Sequence, residues 1–201
     1  MSNLWQDFAF TFVPLFIVID ALGTLPYVIS LSEDMARPQR RRMVHLAVIT
    51  AAVVGLVFLF LGQLILKLLG ISVGAFAIAG GIILLVFAVQ YMTTGHMVKV
   101  IKEELVAVVP IGTPLTAGPA TITTLLLLAT QYPLYMVLIS FALNMLITWV
   151  IFLGGEWVSR FLGQGGLRAI SRVFSLLLAA IAVSMVIHGL ELLGIIKIVS
   201  G

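Results

Sequence analysis

Residues 8–31 read FAFTFVPLFIVIDALGTLPYVISL, an apolar run of membrane-spanning length with one charge, Asp20, in its middle. A hydrocarbon core takes about 20 apolar residues of helix. At ~1.5 Å per residue, Asp20 sits ~18 Å into the run, close to the centre of a bilayer. A carboxylate there costs ~2.5–3.5 kcal/mol and needs a partner, a proton or water. Leu22-Gly23-Thr24-Leu25-Pro26 follows at once and interrupts a regular helix, because proline removes a backbone donor and crowds the preceding turn. Two readings of Asp20 stand side by side. It serves a transported guest or proton, or it caps the backbone freed by a break at Gly23–Pro26.

Five further apolar runs follow, and the spans are expected near 8–31, 43–69, 71–92, 105–130, 134–153 and 169–196. Gly70 and Gln131-Tyr132-Pro133 read as tight turns, and Glu156–Arg168, with Gly163, Gly165 and Gly166, reads as an amphiphilic loop. The composition agrees. Of 201 residues, 62% are hydrophobic and only 9% charged, against about 25% charged in ordinary soluble domains. The fold class expected is an all-α integral membrane protein. The N-terminus carries no positive residue before the first apolar run, so that run is read as a retained span rather than a signal peptide.

Nine of the 11 lysines and arginines (Arg37, Arg40, Arg41, Arg42, Lys99, Lys102, Arg160, Arg168 and Arg172) fall on one side of this six-span arrangement; Lys67 and Lys197 fall on the other. The positive-inside rule places the nine in the cytoplasm. The expectation is therefore a multi-pass protein of the cell (inner) membrane with both termini extracytoplasmic.

The chain divides into similar halves, 1–104 and 105–201. Each has three spans and opens on a span rich in proline and glycine; Pro14, Pro26, Pro110, Pro114 and Pro119 are five of the seven prolines. An odd number of spans per half makes the second half enter the membrane from the opposite side, which is the inverted repeat common among transporters. The second interrupted stretch is Pro110-Ile111-Gly112-Thr113-Pro114-Leu115-Thr116-Ala117-Gly118-Pro119-Ala120-Thr121. Non-helical backbone at that depth survives only when buried in protein or lining a wet cavity. A helix restarting near Gly118–Thr121 would aim its amides and positive dipole end at a carboxylate; the plainer reading is a kink without a ligand.

Two interrupted spans at corresponding positions point to a midplane site. Its candidate binding residues are Asp20, Gly23, Thr24, Pro26, Gly112, Thr113, Pro114, Gly118, Pro119 and Thr121, with Gln90 and Asn144 as secondary candidates that also fit simple helix linkage. Hydroxyls, backbone and one carboxylate suit a small neutral or zwitterionic solute. Gly80-Gly81 is read as a packing feature, and His188 and Glu191 as a surface pair. Cysteine is absent and the three histidines lack ligand spacing, so no metal site and no cofactor are expected. No metalloprotease, P-loop or nucleophile-elbow motif occurs, so the chain is read as a non-enzyme. The expected partners are the bilayer and a small-molecule substrate, with room for a coupling proton or sodium ion and for a homo-oligomer. Nucleic acid is excluded, because no basic run is interleaved with aromatics.

The opening Leu4-Trp5-Gln6-Asp7-Phe8, the Ile19-Asp20-x-x-Gly23-x-x-Pro26 break and the run Pro114-Leu115-Thr116-Ala117-Gly118-Pro119-Ala120-Thr121-Ile122 together resemble the MarC family of bacterial and archaeal inner-membrane proteins. The resemblance covers essentially the whole chain. It implies six spans, kinship to the lysine-exporter type superfamily, and an association of some members with small neutral amino acids such as glycine and alanine. This chain has Ala21 where the family usually has proline, and Thr24 where asparagine is common. The function expected is secondary transport of a small neutral or zwitterionic solute, the alternatives being a channel or facilitator and a non-transporting membrane scaffold.

Overall fold

The computed structural model describes residues 4–32, 35–94 and 118–196. Seven helices make up nearly all of them: α1 (Leu4–Ile19), α2 (Ala21–Leu31), α3 (Arg37–Leu68), α4 (Val73–Thr94), α5 (Pro119–Gln131), α6 (Leu134–Leu153) and α7 (Gly155–Leu192). Five stretches are long and apolar enough to cross a membrane: Leu4–Leu25, Arg37–Leu68, Val73–Gln90, Leu134–Leu153 and Arg172–Leu192. α5, with 13 residues, is too short to cross alone, and the chain immediately before Gly118 lies outside the described residues. The helices turn large apolar side chains outward as well as inward. On α3, Ile49, Val53, Phe60 and Leu64 are all more than half exposed, which a lipid surface accommodates and water does not.

Local chemistry sets the helix ends. α3 starts with Pro38 in its first turn, where a missing N–H costs nothing, and the side chain of Gln39 accepts from the Ala36 N–H at 3.3 Å. It stops at Gly70, whose φ of 69° lets the Ile71 N–H reach the Leu66 carbonyl at 2.9 Å and the Gly70 N–H reach Lys67 at 3.2 Å, a glycine-terminated C-cap. α7 ends the same way at Gly194. α6 is bracketed by Pro133 and Gly154.

The most extensive helix contact joins α4 and α7. Small residues recur every seven positions on both: Gly74, Gly81 and Ala88 on α4, and Ser175, Ala182 and Gly189 on α7, all buried. The pairs run antiparallel. A Cβ added to Gly189 would lie 2.6 Å from the Gly74 carbonyl oxygen, and one added to Gly81 would lie 2.7 Å from that of Ala182. A seven-residue repeat holds two helices in register along a left-handed crossing. In lipid, where association rests on close packing, glycine at the crossing supplies it. Gly80, next to Gly81 but on another face, lies against Thr123 of α5. The doublet therefore packs α4 against two helices at once.

Two expectations need correction. The stretch Glu156–Arg168 is not a loop but part of α7, which runs from Gly155 with a single kink at Gly163 (φ 64°, ψ 169°). Val158 and Leu162 pack on the apolar core, Glu156 pairs with Arg40 of α3, and Trp157 and Phe161 stack face to face on the exposed side. This amphipathic segment stays helical because its inner face is buried, and one glycine suffices for the change of direction. In the first span, the interruption falls at Asp20 rather than across Gly23–Pro26, whose backbone lies within α2.

The α4–α7 seam yields a direct test. Gly189→Ala should destabilise the protein by about 1–3 kcal/mol through overpacking against backbone that cannot yield. Gly165→Ala, whose added carbon meets nothing within 4 Å, should not destabilise it. Thermal unfolding of the two variants in detergent, side by side, checks this.

Candidate functional site

The interruption of the first span is built by one side chain. Asp20 is the single non-glycine residue at positive φ among the described residues (φ 43°, ψ 55°). Aspartate tolerates this left-handed conformation better than most residues. The Asp20 N–H still closes α1 onto the Phe16 carbonyl at 3.2 Å, and its carbonyl accepts the first bond of α2 from the Thr24 N–H at 3.0 Å. Its Oδ1 accepts from the Gly23 N–H at 3.0 Å. Asp20 is thus the N-cap of α2 and the hinge between two half-helices, with only 2% of its surface exposed. Thr24, equally buried, turns its hydroxyl back to donate to the Asp20 carbonyl at 3.0 Å. Gly23 is buried beside them, and Pro26 lies in α2 one turn further on.

The second stretch expected to break enters the described residues at the start of α5. Gly118, in extended conformation (φ −68°, ψ 176°), is the N-cap, Pro119 takes the first helical position, and Gly118 itself has no side chain to cap it. The Ile122 N–H closes the first turn on Gly118 at 3.1 Å. Such a helix start presents first-turn amides and the positive end of its dipole to what lies before it. Thr121, Thr123 and Thr124 are all buried just inside, and the Thr124 hydroxyl faces the Met185 sulfur at 3.9 Å. Gly112, Thr113 and Pro114, expected in this site, lie outside the described residues.

The hinge at Asp20 and the start of α5 lie at similar depth. Thr11 of α1 bonds Ser140 near the start of α6, so the start of α1 and the α5–α6 turn share one end of the bundle. From that end, the 16 residues of α1 and the 13 of α5 rise ~24 Å and ~20 Å at ~1.5 Å each. Ile17 and Val18, just before Asp20, share an apolar cluster with Ala120, the second residue of α5, and α1 and α5 are in contact.

Of the secondary candidates, Gln90 is exposed near the end of α4, away from this arrangement. Asn144 is buried and clamps α6 to α1, donating to the Phe12 carbonyl at 3.2 Å and to its own Ser140 carbonyl at 2.8 Å. His188 and Glu191 do pair, Nδ1 to Oε2 at 3.2 Å, half-buried on α7. Sequence reasoning missed Thr11, Thr124, Ser140 and Thr148. The signal was present for the two on α6: Ser140 and Thr148 recur with Asn144 at four-residue spacing, which aligns the three on one helix face. No group of three or more potential metal-ligating histidines or acids occurs among the described residues.

An all-helical bundle with apolar outer faces and polar groups reserved for its centre defines a polytopic integral membrane protein. Residues 5–193 match the MarC family integral membrane proteins, and the chain belongs to that family. It is 32% identical over 198 residues to the UPF0056 membrane protein MJ1677 of Methanocaldococcus jannaschii, covering 92% of this chain and 97% of the relative. It is 34% identical over 185 residues to the UPF0056 inner membrane protein YhgN of Escherichia coli, covering 90% and 94%. A second Escherichia coli protein, the UPF0056 membrane protein YhcE, is 30% identical over 194 residues, covering 90% of each chain. No solved structure matches the chain significantly.

The hinge predicts an ordered substitution series. Asp20→Asn keeps both an acceptor for the Gly23 N–H and tolerance of positive φ, so it should unfold close to the parent. Asp20→Val should lose about 1–2 kcal/mol for the missing cap and about 1–2 kcal/mol for the backbone strain. Thermal melts in one detergent rank the three proteins; equal midpoints for the Asn and Val variants would remove Asp20 as the structural hinge.

Proposed function

We propose that this protein is a secondary transporter of a small neutral or zwitterionic solute, with small amino acids such as glycine and alanine the first candidates, and not an enzyme. The observation that carries the reading is the meeting of the interrupted helix α1–α2, broken at Asp20, with the start of α5 at Gly118, at similar depth around Ile17, Val18 and Ala120. Interrupted helices at the midplane are where transporters place their substrate. A zwitterion suits the two sides: its carboxylate would face the positive dipole end at the start of α5, and its ammonium the carboxyl of Asp20.

The same proposal takes the chain as six spans in two inverted repeats, 1–104 and 105–201. The helix contacts support it. Exchanging α1–α2 with α5, α3 with α6, and α4 with α7 turns the α1–α6 contact into α3–α5 and the α4–α5 contact into α1–α7, and leaves α1–α5, α3–α6 and α4–α7 unchanged; all seven contacts are present. Arg40, with Arg37, Arg41 and Arg42 beside it in sequence, is tied by ion pair to Glu156, four residues from Arg160. These cations gather at one end of the bundle, which the reading assigns to the cytoplasm, with both termini outside. Rocking of one repeat against the other would expose the site alternately to each side, driven by the solute's own gradient or by a coupled ion.

Uptake into proteoliposomes tests the reading. The parent should take up glycine or alanine saturably, with competition between them. Asp20→Asn and Thr121→Val should cut the rate by at least about tenfold, equivalent to 1.4 kcal/mol in the barrier, while unfolding near the parent temperature. Non-saturating flux would favour a channel, and no flux of any small solute would favour a scaffold.

A further inference from the structure

The start of α3 and the start of α7 meet at a charged corner of the bundle. Residues 32–42 and 154–172 hold seven arginines against three acids. On α3, Arg37, Arg40 and Arg41 stand at i, i+3 and i+4, which is one helix face, and that face continues into buried Val44. It is therefore turned towards the bundle, and Arg40 shows where it leads. The Arg40 guanidinium pairs with Glu156 and lies beside Gly155, its Nη2 3.3 Å from the place a Cβ there would take. Arg160 stands one turn along α7 from Glu156. The central pair is thus flanked by Arg37 and Arg41 on α3 and by Arg160 on α7. All three are exposed, and none has an ion-pair partner among the described residues.

The exposed side of α7 before its kink has two edges. Glu156 and Arg160 form one; Trp157 and Phe161, also four apart, form the other, about 100° further round the helix. Val158 and Leu162, on the opposite side, pack on the core. Trp157 and Phe161 are 70% and 76% exposed, their rings 5.6 Å apart and nearly parallel. A broad aromatic surface next to cations, at the end of a membrane-crossing bundle, belongs at headgroup level, and a helix segment with arginine on one edge and aromatics on the next lies in that plane. The charge then selects the lipid. A guanidinium takes a phosphate through a fork of N–H donors. A zwitterionic headgroup brings its own ammonium to the same place, whereas an acidic one complements the unpaired arginines.

We propose that the corner between α3 and α7 binds the headgroup phosphate of an acidic phospholipid, with Arg37, Arg41 and Arg160 on the phosphate and the Trp157–Phe161 edge against the acyl chains. The site shares no residue with the hinge at Asp20 or the start of α5, so it stands whether or not the chain transports a solute.

Tryptophan quenching tests it. The full chain has three tryptophans; Trp5→Phe and Trp149→Phe leave Trp157 as the reporter. The protein is placed in phosphatidylcholine nanodiscs carrying a small fraction of brominated phosphatidylglycerol or, in parallel, of brominated phosphatidylcholine, since bromine quenches only a ring it touches. Each arginine near an acidic lipid surface is worth about fivefold in binding, so quenching should favour phosphatidylglycerol by at least about tenfold, and by less at high salt. Arg37→Gln, Arg41→Gln and Arg160→Gln together, which spare the Arg40–Glu156 pair, should bring the ratio to within about twofold. Lys67→Gln, exposed at the other end of α3, should leave it unchanged. The proposal is overturned if the two lipids quench the parent alike or if the preference survives the three arginine substitutions. It is overturned too if neither lipid reaches Trp157, as when a second copy of the chain covers this face, or if inorganic phosphate at constant ionic strength abolishes the preference, which would make the ligand a free anion.

Discussion

Inside a bilayer a peptide group released from its helix has no water to turn to, and the bond from the Gly23 N–H to Asp20 answers that constraint in the first span. The backbone closes the hinge with bonds to Phe16 from Asp20 and to Asp20 from Thr24, and the Thr24 hydroxyl also donates to the Asp20 carbonyl. The side chain of Asp20 supplies an acceptor for Gly23, and a residue at ease with positive φ redirects the chain at that point. The direction of α2 follows from it. Leu25 and Ile29 of α2 are then placed against Gly155, where the amphipathic start of α7 crosses and Glu156 reaches Arg40. A single buried aspartate thus sets the position of structure at the end of the bundle.

A second constraint positions α5. Apolar side chains gain little by leaving lipid for protein, so helix contacts in a membrane depend on how closely backbones approach. The Gly74–Gly189 and Gly81–Ala182 crossings bring α4 and α7 to backbone contact. With α4 so held, Gly80 offers the recess that receives Thr123, and Gly62 of α3 receives Leu126. α5 is therefore gripped on two sides by side chains set into glycine recesses. Its start at Gly118 is thereby positioned although the helix is too short to span the membrane on its own.

Much of this was legible in the sequence, and the failures have physical causes. Hydropathy located five of the six expected spans, because it reports the lipid-facing length, and Pro133 and Gly154 bounded α6 at the residues expected; most of the expected span 105–130 lies outside the described residues. Hydropathy does not report helix ends, so α3 begins earlier than its apolar run: the arginines after Arg37 are good helix formers and continue outward from the membrane. Gly163, Gly165 and Gly166 suggested a loop, but burial of Val158 and Leu162 outweighed their intrinsic cost. Gly23 and Pro26 suggested the site of the break. The more informative signal was the pairing of Asp20 with the residue three positions on, an N-cap pattern; the capping reading was available, but it set the break beyond Asp20 rather than at it. The α4–α7 register was readable too, since small residues stand seven apart on both helices, yet only the pairing in space shows that Gly80 and Gly81 serve different neighbours.

The distribution of buried polar side chains separates the helices by role. Among the described residues, α3 and α4 bury none. α1–α2 bury Thr11, Asp20 and Thr24; α5 buries Thr121, Thr123 and Thr124; α6 buries Ser140, Asn144 and Thr148. α1, α5 and α6 touch one another pairwise. Each such group carries a desolvation cost that an apolar residue of similar size would avoid, and in α3 and α4 the chain avoids it. A hydrated solute crossing between α3 and α4 would meet no buried polar side chain. One crossing between α1–α2, α5 and α6 would meet hydroxyls, an amide and a carboxyl along the way. The buried polar residues are therefore concentrated on α1–α2, on α5 and on α6, which packs against both, while α7 adds Ser175.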